Sequence, residues 1–161
     1  MSSPLLVRSL KQDDWDQVID TYADAVKTLA TPLYRPEQIE AWAAYPSSHA
    51  AVREALGRGV GLVGTTAGRP SAVEAFALLD PLDRLALLYC RGRSSRMGLA
   101  TRLVQGLEAH ARQLGQTSLR TEASQLSRPL LERLGWKVEQ EERILFAGEL
   151  FLRWRMRTTL I

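Results

Sequence analysis

Residues 87–106 read LLYCRGRSSRMGLATRLVQG. An apolar run ends at Cys90. Four arginines (Arg91, Arg93, Arg96, Arg102) and two serines then crowd a short link and the turn after it, and a helical pattern begins at Gly98-Leu99-Ala100. A helix that follows a strand leaves its first N–H groups without internal partners. Those donors and the helix dipole attract anions. A side chain at position 98 would hold a phosphate away from the backbone, and Ala100 is nearly as small. Clustered arginines add longer-range attraction. The chemistry open to this stretch is capture of a phosphate or pyrophosphate by main-chain amides. Taken alone, Gly98 is better explained by turn geometry, so this reading depends on its neighbours.

Other chemistry-bearing residues point elsewhere. GVGLVG, through Gly59, Gly61 and Gly64, matches G-x-G-x-x-G. A dinucleotide site needs a strand before that motif and a helix after it. Here a helical stretch precedes and a hairpin with AGRP follows, so small residues in a strand explain it better. Cys90 is the only cysteine. In an apolar strand it reads as a small core residue rather than a nucleophile. It cannot form an internal disulfide, which fits a reducing, cytoplasmic location. His49 reads as a helix-terminal or solvated residue and His110 as an exposed helix residue. With no His, Cys and carboxylate cluster at ligand spacing, no metal is expected.

These residues must be positioned by a fold. The chain has 161 residues, 45% hydrophobic and 24% charged, which suits one soluble domain, 1–161, with a real core. The net charge is +3, carried mostly by arginine. The sequence pI is about 9.3. Most of these arginines read as a solvated surface. A nucleic-acid partner would call for a broader basic face with interleaved aromatics, and none is present. No run is long enough to span a membrane, and MSSPLLVRSLKQDDWD lacks the apolar stretch of a secretion signal.

The pattern predicts a strand at PLLVRSL and a helix over 13–30 with Asp13 as N-cap. Pro32 should end that helix. A second helix should start at Pro36 and stop at Pro46, and a third should close on Gly59. VGLVGTT and AVEAFALLD read as a hairpin, followed by RLALLYC as a more buried strand. Residues 98–114 form the strongest helix, with Leu99, Leu103, Leu107, Ala111 and Leu114 on one face and Gly115 as its stop. SLRTEAS reads as a strand and SRPLLERLGW as a short helix. A closing hairpin should turn near Gly148, with Leu152, Trp154 and Met156 inward and Arg153 and Arg155 outward.

The order of these elements resembles the GCN5-related N-acetyltransferases. So does the run LLYCRGRSSRMGLATRLVQGLEAHARQLG, followed by LRTEASQLSRPLLERLGW. YRPEQIEAWA and TEAS…RPLLERLGW are similar to bacterial small-molecule acetyltransferases. The resemblance implies an α/β fold: a mixed, mostly antiparallel sheet of six to seven strands, about four flanking helices, and a splay between the fourth and fifth strands. It implies acetyl-CoA in the splay and acetyl transfer to a small-molecule amine by direct attack in a ternary complex. Ser95, Arg96, Met97, Gly98, Leu99, Ala100 and Thr101 would form the pyrophosphate loop. Leu88, Tyr89 and Cys90 would pair their backbone with the pantetheine arm. Ser124 and Leu131 would border the thioester end. The sequence departs from the family at Ser95, where Gln or Arg is usual, and at Arg96, where glycine is common. It also has Leu130 and Leu131 where a catalytic tyrosine often stands. These departures leave a CoA-binding module with little turnover as the alternative.

Transfer to an amine needs a base and a donor at the thioester oxygen. In the family a backbone N–H of the fourth strand is that donor, which implies Leu88 or Cys90. Glu122 is the candidate base, since strand parity puts it on one face with Arg120 and Ser124. An ion pair with Arg120 is the competing role. Tyr34, Trp42 and Tyr45 lie in the early helices that cover the cleft mouth in this family. Tyr34 and Trp42 are candidates to hold the amine, although packing onto the sheet is the simpler role for Trp42. The family resemblance and the apolar last strand are consistent with a homodimer.

Overall fold

The computed structural model describes residues 4–161, so the first three residues of the stretch read for a secretion signal lie outside it. Among the described residues seven strands form one sheet. They are β1 (Leu5–Ser9), β2 (Val60–Thr66), β3 (Ala75–Leu79), β4 (Arg84–Cys90), β5 (Ser118–Ala123), β6 (Lys137–Phe146) and β7 (Glu149–Thr159). Their spatial order is β1-β2-β3-β4-β5-β7-β6. Every pairing is antiparallel except β4 with β5, which is parallel. Five α-helices among the described residues flank the sheet: α1 (Trp15–Leu29), α2 (Pro36–Ser48), α3 (Ala51–Arg58), α4 (Leu99–Gln113) and α5 (Arg128–Arg133). Among the described residues no helix is long and apolar enough to cross a membrane.

The sheet separates two cores. On one side α4 and α5 lay Leu103, Leu107 and Leu131 against Ala77, Leu119 and Met156. On the other side α1, α2 and α3 pack Val18, Trp42 and Leu56 against Val63, Phe76 and Phe151. Strand β3 is buried along its whole length because helices cover both of its faces. Strand β4, expected to be the more buried strand, is mostly half-exposed. The reason is the splay. β4 meets β5 only through Arg84↔Arg120 and Leu85↔Thr121.

Close approach explains the discarded glycine motif. A Cβ at Gly64 would stand 2.8 Å from Leu99 Cδ2. Gly64 therefore lets the start of α4 sit down on β2, and the motif has a packing role.

Four local expectations need correction. Asp13 is not the cap: a 3₁₀ turn over Gln12–Asp14 precedes α1 and places Asp14 at its N-cap. The Asp14 carboxylate accepts from the Lys11 N–H and from Arg8, each at 2.9 Å. Pro46 does not stop α2, which runs on to Ser48. Proline deprives only the carbonyl four residues back, here near the helix end, and the buried ring contributes to packing. His49 consequently caps α2, stacked on Tyr45 at 4.5 Å. Leu114 is 48% exposed, because α4 ends at Gln113 and the chain turns away there. Leu152 is 41% exposed, because the hairpin tip projects past the flanking helices.

Candidate active site

The splay makes a site because of where β4 sends its main-chain groups. In an antiparallel ladder, alternate residues bond to the neighbouring strand and the rest face the other way. The Arg91 N–H donates to Glu74 O at 2.8 Å, on the β3 side. Counting back through the register Cys90↔Ala75, Tyr89↔Phe76, Leu88↔Ala77, Leu87↔Leu78, residues 89 and 87 bond to β3. Leu88 and Cys90 then turn their N–H and C=O toward the gap. The gap is closed at its base by the Thr121 hydroxyl, which donates to Leu85 O at 2.6 Å.

The gap is a cleft of ≈500 Å3. One wall is β4, including Leu88, Tyr89 and Cys90. The far end is the link before α4, with Ser95, Arg96, Gly98, Leu99, Ala100 and Thr101. The opposite wall is β5 and α5, with Glu122, Ser124, Ser127 and Leu131. Met97, expected here, is 37% exposed and does not line the cleft. Its side chain leaves the turn on the solvent side.

Gly98 is the N-cap of α4 with φ +89, and a Cβ there would meet nothing within 4 Å. The first intrahelical bond is Arg102 N–H to Gly98 O. The N–H groups of Leu99, Ala100 and Thr101 therefore lack a helical partner and open on the cleft. Arg96 has φ +63. This is the left-handed region, which explains why glycine suits that position and what strain arginine accepts there.

The arginine cluster works differently from the expectation of a free basic patch. Arg93 binds Glu74 through Nε at 2.9 Å and Nη2 at 2.6 Å. Arg91 pairs with Asp20 at 2.8 Å and donates to Val73 O. Arg102 donates to Leu5 O at 2.6 Å. Among the described residues Arg96 alone of the four has no hydrogen-bond or ion-pair partner. The others anchor the link. Glu74 is 4% exposed and also accepts from the Ser94 hydroxyl. The Arg93 guanidinium holds its carboxyl below the usual range against the opposing effect of burial, with Ser94 helping.

A second cavity of ≈360 Å3 opens on the α1–α3 side of the sheet. Tyr34, Trp42, Tyr45, Phe146 and Phe151 line it with the ion pairs Arg58–Asp80 and Arg84–Glu122. The two cavities share a wall containing Trp42, Leu87, Tyr89, Glu122 and Ser124. Glu122 is paired with Arg84 at 2.9 Å rather than with Arg120, which pairs with Asp83. The Trp42 indole donates to the Tyr89 hydroxyl at 3.1 Å. The Tyr34 hydroxyl accepts from the Gln125 N–H at 2.9 Å. Burial raises the Tyr34 and Tyr89 hydroxyls above the ordinary range, so both stay protonated at neutral pH. Burial, with Glu74 and Asp24 nearby, pushes the Cys90 thiol up to about 11. It is no ready nucleophile. His110 is half-buried on α4, away from both cavities. Among the described residues no group of three His, Cys, Asp or Glu side chains is placed to hold a metal.

Sequence reasoning missed Arg84, which holds Glu122 from β4, Ser127, whose hydroxyl accepts from the Ser124 N–H at 3.0 Å in the cleft wall, and Arg153, which lines the second cavity from β7. No local spacing links them.

The acetyltransferase (GNAT) domain model matches residues 30–158. The chain belongs to the GNAT acetyltransferase family. It is thus an acyltransferase that draws on an acyl-CoA. No curated protein sequence matches the chain. Among solved structures, a GCN5-related N-acetyltransferase from Rhodopseudomonas palustris superposes with a TM-score of 0.90 at 23% identity, covering 99% of this chain and 98% of that one. PaiA N-acetyltransferase from Thermoplasma acidophilum, in complex with coenzyme A, gives 0.74 at 17% identity, covering 97% and 99%. YncA from Salmonella typhimurium, with acetyl-CoA, gives 0.65 at 18% identity, covering 99% and 95%. These likenesses establish the shared GNAT fold.

The cleft fits an acyl-CoA on features of this chain. It offers an uncovered strand edge, a helix entrance with unpartnered amides, and open space at Gly98. Replacing Gly98 by Val puts a β-branched side chain at φ +89 and into that space. Calorimetry is expected to show CoA affinity reduced at least about tenfold, roughly 1.4 kcal/mol, with the circular dichroism spectrum retained.

The Glu74 carboxyl titrates below the ordinary value in the folded state. Its contribution to stability is present above about pH 4.3 and is lost as pH falls through the lowered folded value. Urea unfolding of Glu74→Gln should therefore lose less stability than the wild type between about pH 7 and about pH 3. Asp14 and Glu142, also lowered by arginines, keep the remaining acid dependence.

Proposed function

We propose that this acyltransferase moves the acetyl group of acetyl-CoA to the amine of a small molecule, by direct attack in a ternary complex. The observation that carries this reading is the shared wall. A cleft suited to CoA and an aromatic-lined cavity meet at Glu122, Ser124 and Tyr89.

The roles follow from position. The amides of Leu99, Ala100 and Thr101, with Arg96 and Ser95 beside them, would hold the pyrophosphate. The free edge of Leu88 and Cys90 would pair with the pantetheine arm as an added strand does. One of those N–H groups would also stabilise charge developing on the acyl oxygen. Leu131 and Ser124 border the end of the cleft where the thioester would lie. When bound, acetyl-CoA supplies the acyl group as an activated thioester.

Glu122 faces the junction with one oxygen held by Arg84 Nε and the other without a hydrogen-bond partner among the described residues. It would take the proton of the attacking amine, directly or through water. Protonation of the leaving thiolate needs a donor that Leu130 and Leu131 do not offer. The Tyr34 hydroxyl accepts from Gln125 N–H and so keeps its own proton free to give. We assign it that task from the second cavity, which it lines beside Trp42 and where it is tied to Gln125, next to Ser124 in the shared wall.

Glu122→Gln should lower kcat by about 10²-fold or more in a free-thiol release assay while CoA affinity by calorimetry stays close to wild type. Wild-type turnover in that variant would remove the base assignment. Tyr34→Phe should lower kcat at least about tenfold and leave the KM for acetyl-CoA little changed. An effect on KM alone would make Tyr34 a packing residue.

A further inference from the structure

The acceptor cavity has a charge pattern that selects among amines. Its two carboxylates are already neutralised: Asp80 by Arg58 at 3.0 Å and Glu122 by Arg84 at 2.9 Å. A polyamine or an aminoglycoside carries several positive charges and needs carboxylates without counterions, which this wall does not supply.

The wall instead has a positive charge in surplus. Arg153 lines the cavity and donates through Nε to Glu142 at 2.7 Å. Glu142 also pairs with Arg155. One carboxylate thus serves two guanidiniums. The terminal amino groups of Arg153 have no hydrogen-bond partner among the described residues. A guanidinium with that fork free is suited to a carboxylate.

Its position is equally specific. In the β5–β7 register Glu122 faces Arg155 and Ala123 faces Trp154, so the next step sets Arg153 opposite Ser124 in the shared wall. Glu122 and Arg153 are then diagonal neighbours on one sheet face, about 7–8 Å apart at Cα. Side chains converging from such positions can hold an amine and a carboxylate separated by one carbon. Much of the rest of the cavity is aromatic. Trp42, Tyr45, Phe146 and Phe151 meet one another at ring-centroid distances of 4.4 to 6.0 Å, in edge-on and tilted arrangements. Such walls accept a flat ring by the same contacts.

We propose that the acceptor is an aromatic α-amino acid or a close analogue, its amine at Glu122, its carboxylate on Arg153 and its ring among these aromatics. This rests on the second cavity being the acceptor site, as argued above. In the transfer the amine nitrogen bonds to the acyl carbon and the C–S bond breaks. The amine gives up one proton, the thiolate gains one, and the carboxylate is unchanged.

The test uses the full chain, acetyl-CoA and matched pairs of acceptors: phenylalanine with 2-phenylethylamine, tyrosine with tyramine, tryptophan with tryptamine, and spermidine as the polycation. Thiol release should favour at least one amino acid over its decarboxylated partner and over spermidine by about tenfold or more in kcat/KM. Arg153→Gln should collapse that preference through KM, and Arg153→Lys should restore part of it. Melting temperatures identify a misfolded variant, and in that event the matched-pair preference of the wild type decides. A preference for spermidine or for the decarboxylated amines overturns the proposal, as does a preference that survives in well-folded Arg153→Gln. Turnover with spermidine alone would leave acetyl transfer standing and remove only the acceptor class. Failure to bind CoA at all would remove the reading it rests on.

Discussion

Everything at the site depends on an unmade set of β-sheet hydrogen bonds. Strands β4 and β5 are parallel neighbours that pair at two residues and then diverge. Main-chain groups left free at a strand edge are costly to bury without partners, and they are a ready template for an extended ligand. The divergence is stable because the two strands have independent support. β4 is tied to β3 along its length and packs beneath α1. β5 is tied to β7 over six register pairs. Thr121 places a side-chain hydroxyl on Leu85 where the backbone ladder ends.

Electrostatics follow a similar economy. Arginine is abundant, but most guanidiniums around the site are committed to fixed partners. Arg91 and Arg93 fasten the link between β4 and α4 to α1 and to the start of β3. That leaves main-chain amides and Arg96 as donors at the α4 end of the cleft, with Arg133 on the α5 side. A rigid cradle of amides loses little entropy on meeting a phosphate, which mobile arginine side chains could not match. The second cavity also carries paired charges, Arg58 with Asp80 and Arg84 with Glu122, while Arg153 shares its partner Glu142 with Arg155.

The general plan of the fold was legible because periodicity is local. The amphipathic stripe of Leu99, Leu103 and Leu107 identified α4, and the alternation of Leu119, Thr121 and Ala123 on β5 is that of a strand. Gly98 pointed to the helix entrance, and its φ of +89 is a property that a sequence position can announce. Pro46 misled because a proline near a helix end can be absorbed when its ring is buried. Leu114 and Leu152 misled because helical or strand parity assigns a face and says nothing about where the covering element stops.

Most elements, their order and the small residues at the entrance of α4 can be read directly along the chain. Each of these depends on interactions within a few residues of the chain. Tertiary structure alone decided which arginines were free, which partner Glu122 took, and how Arg84, Glu122, Ser124 and Arg153 came to share one wall. Those relations join β4, β5 and β7, positions up to 69 residues apart in the chain. Charge pairing at that range is set by the strand order β4-β5-β7 and its register, which the packing of both cores selects and no local spacing encodes.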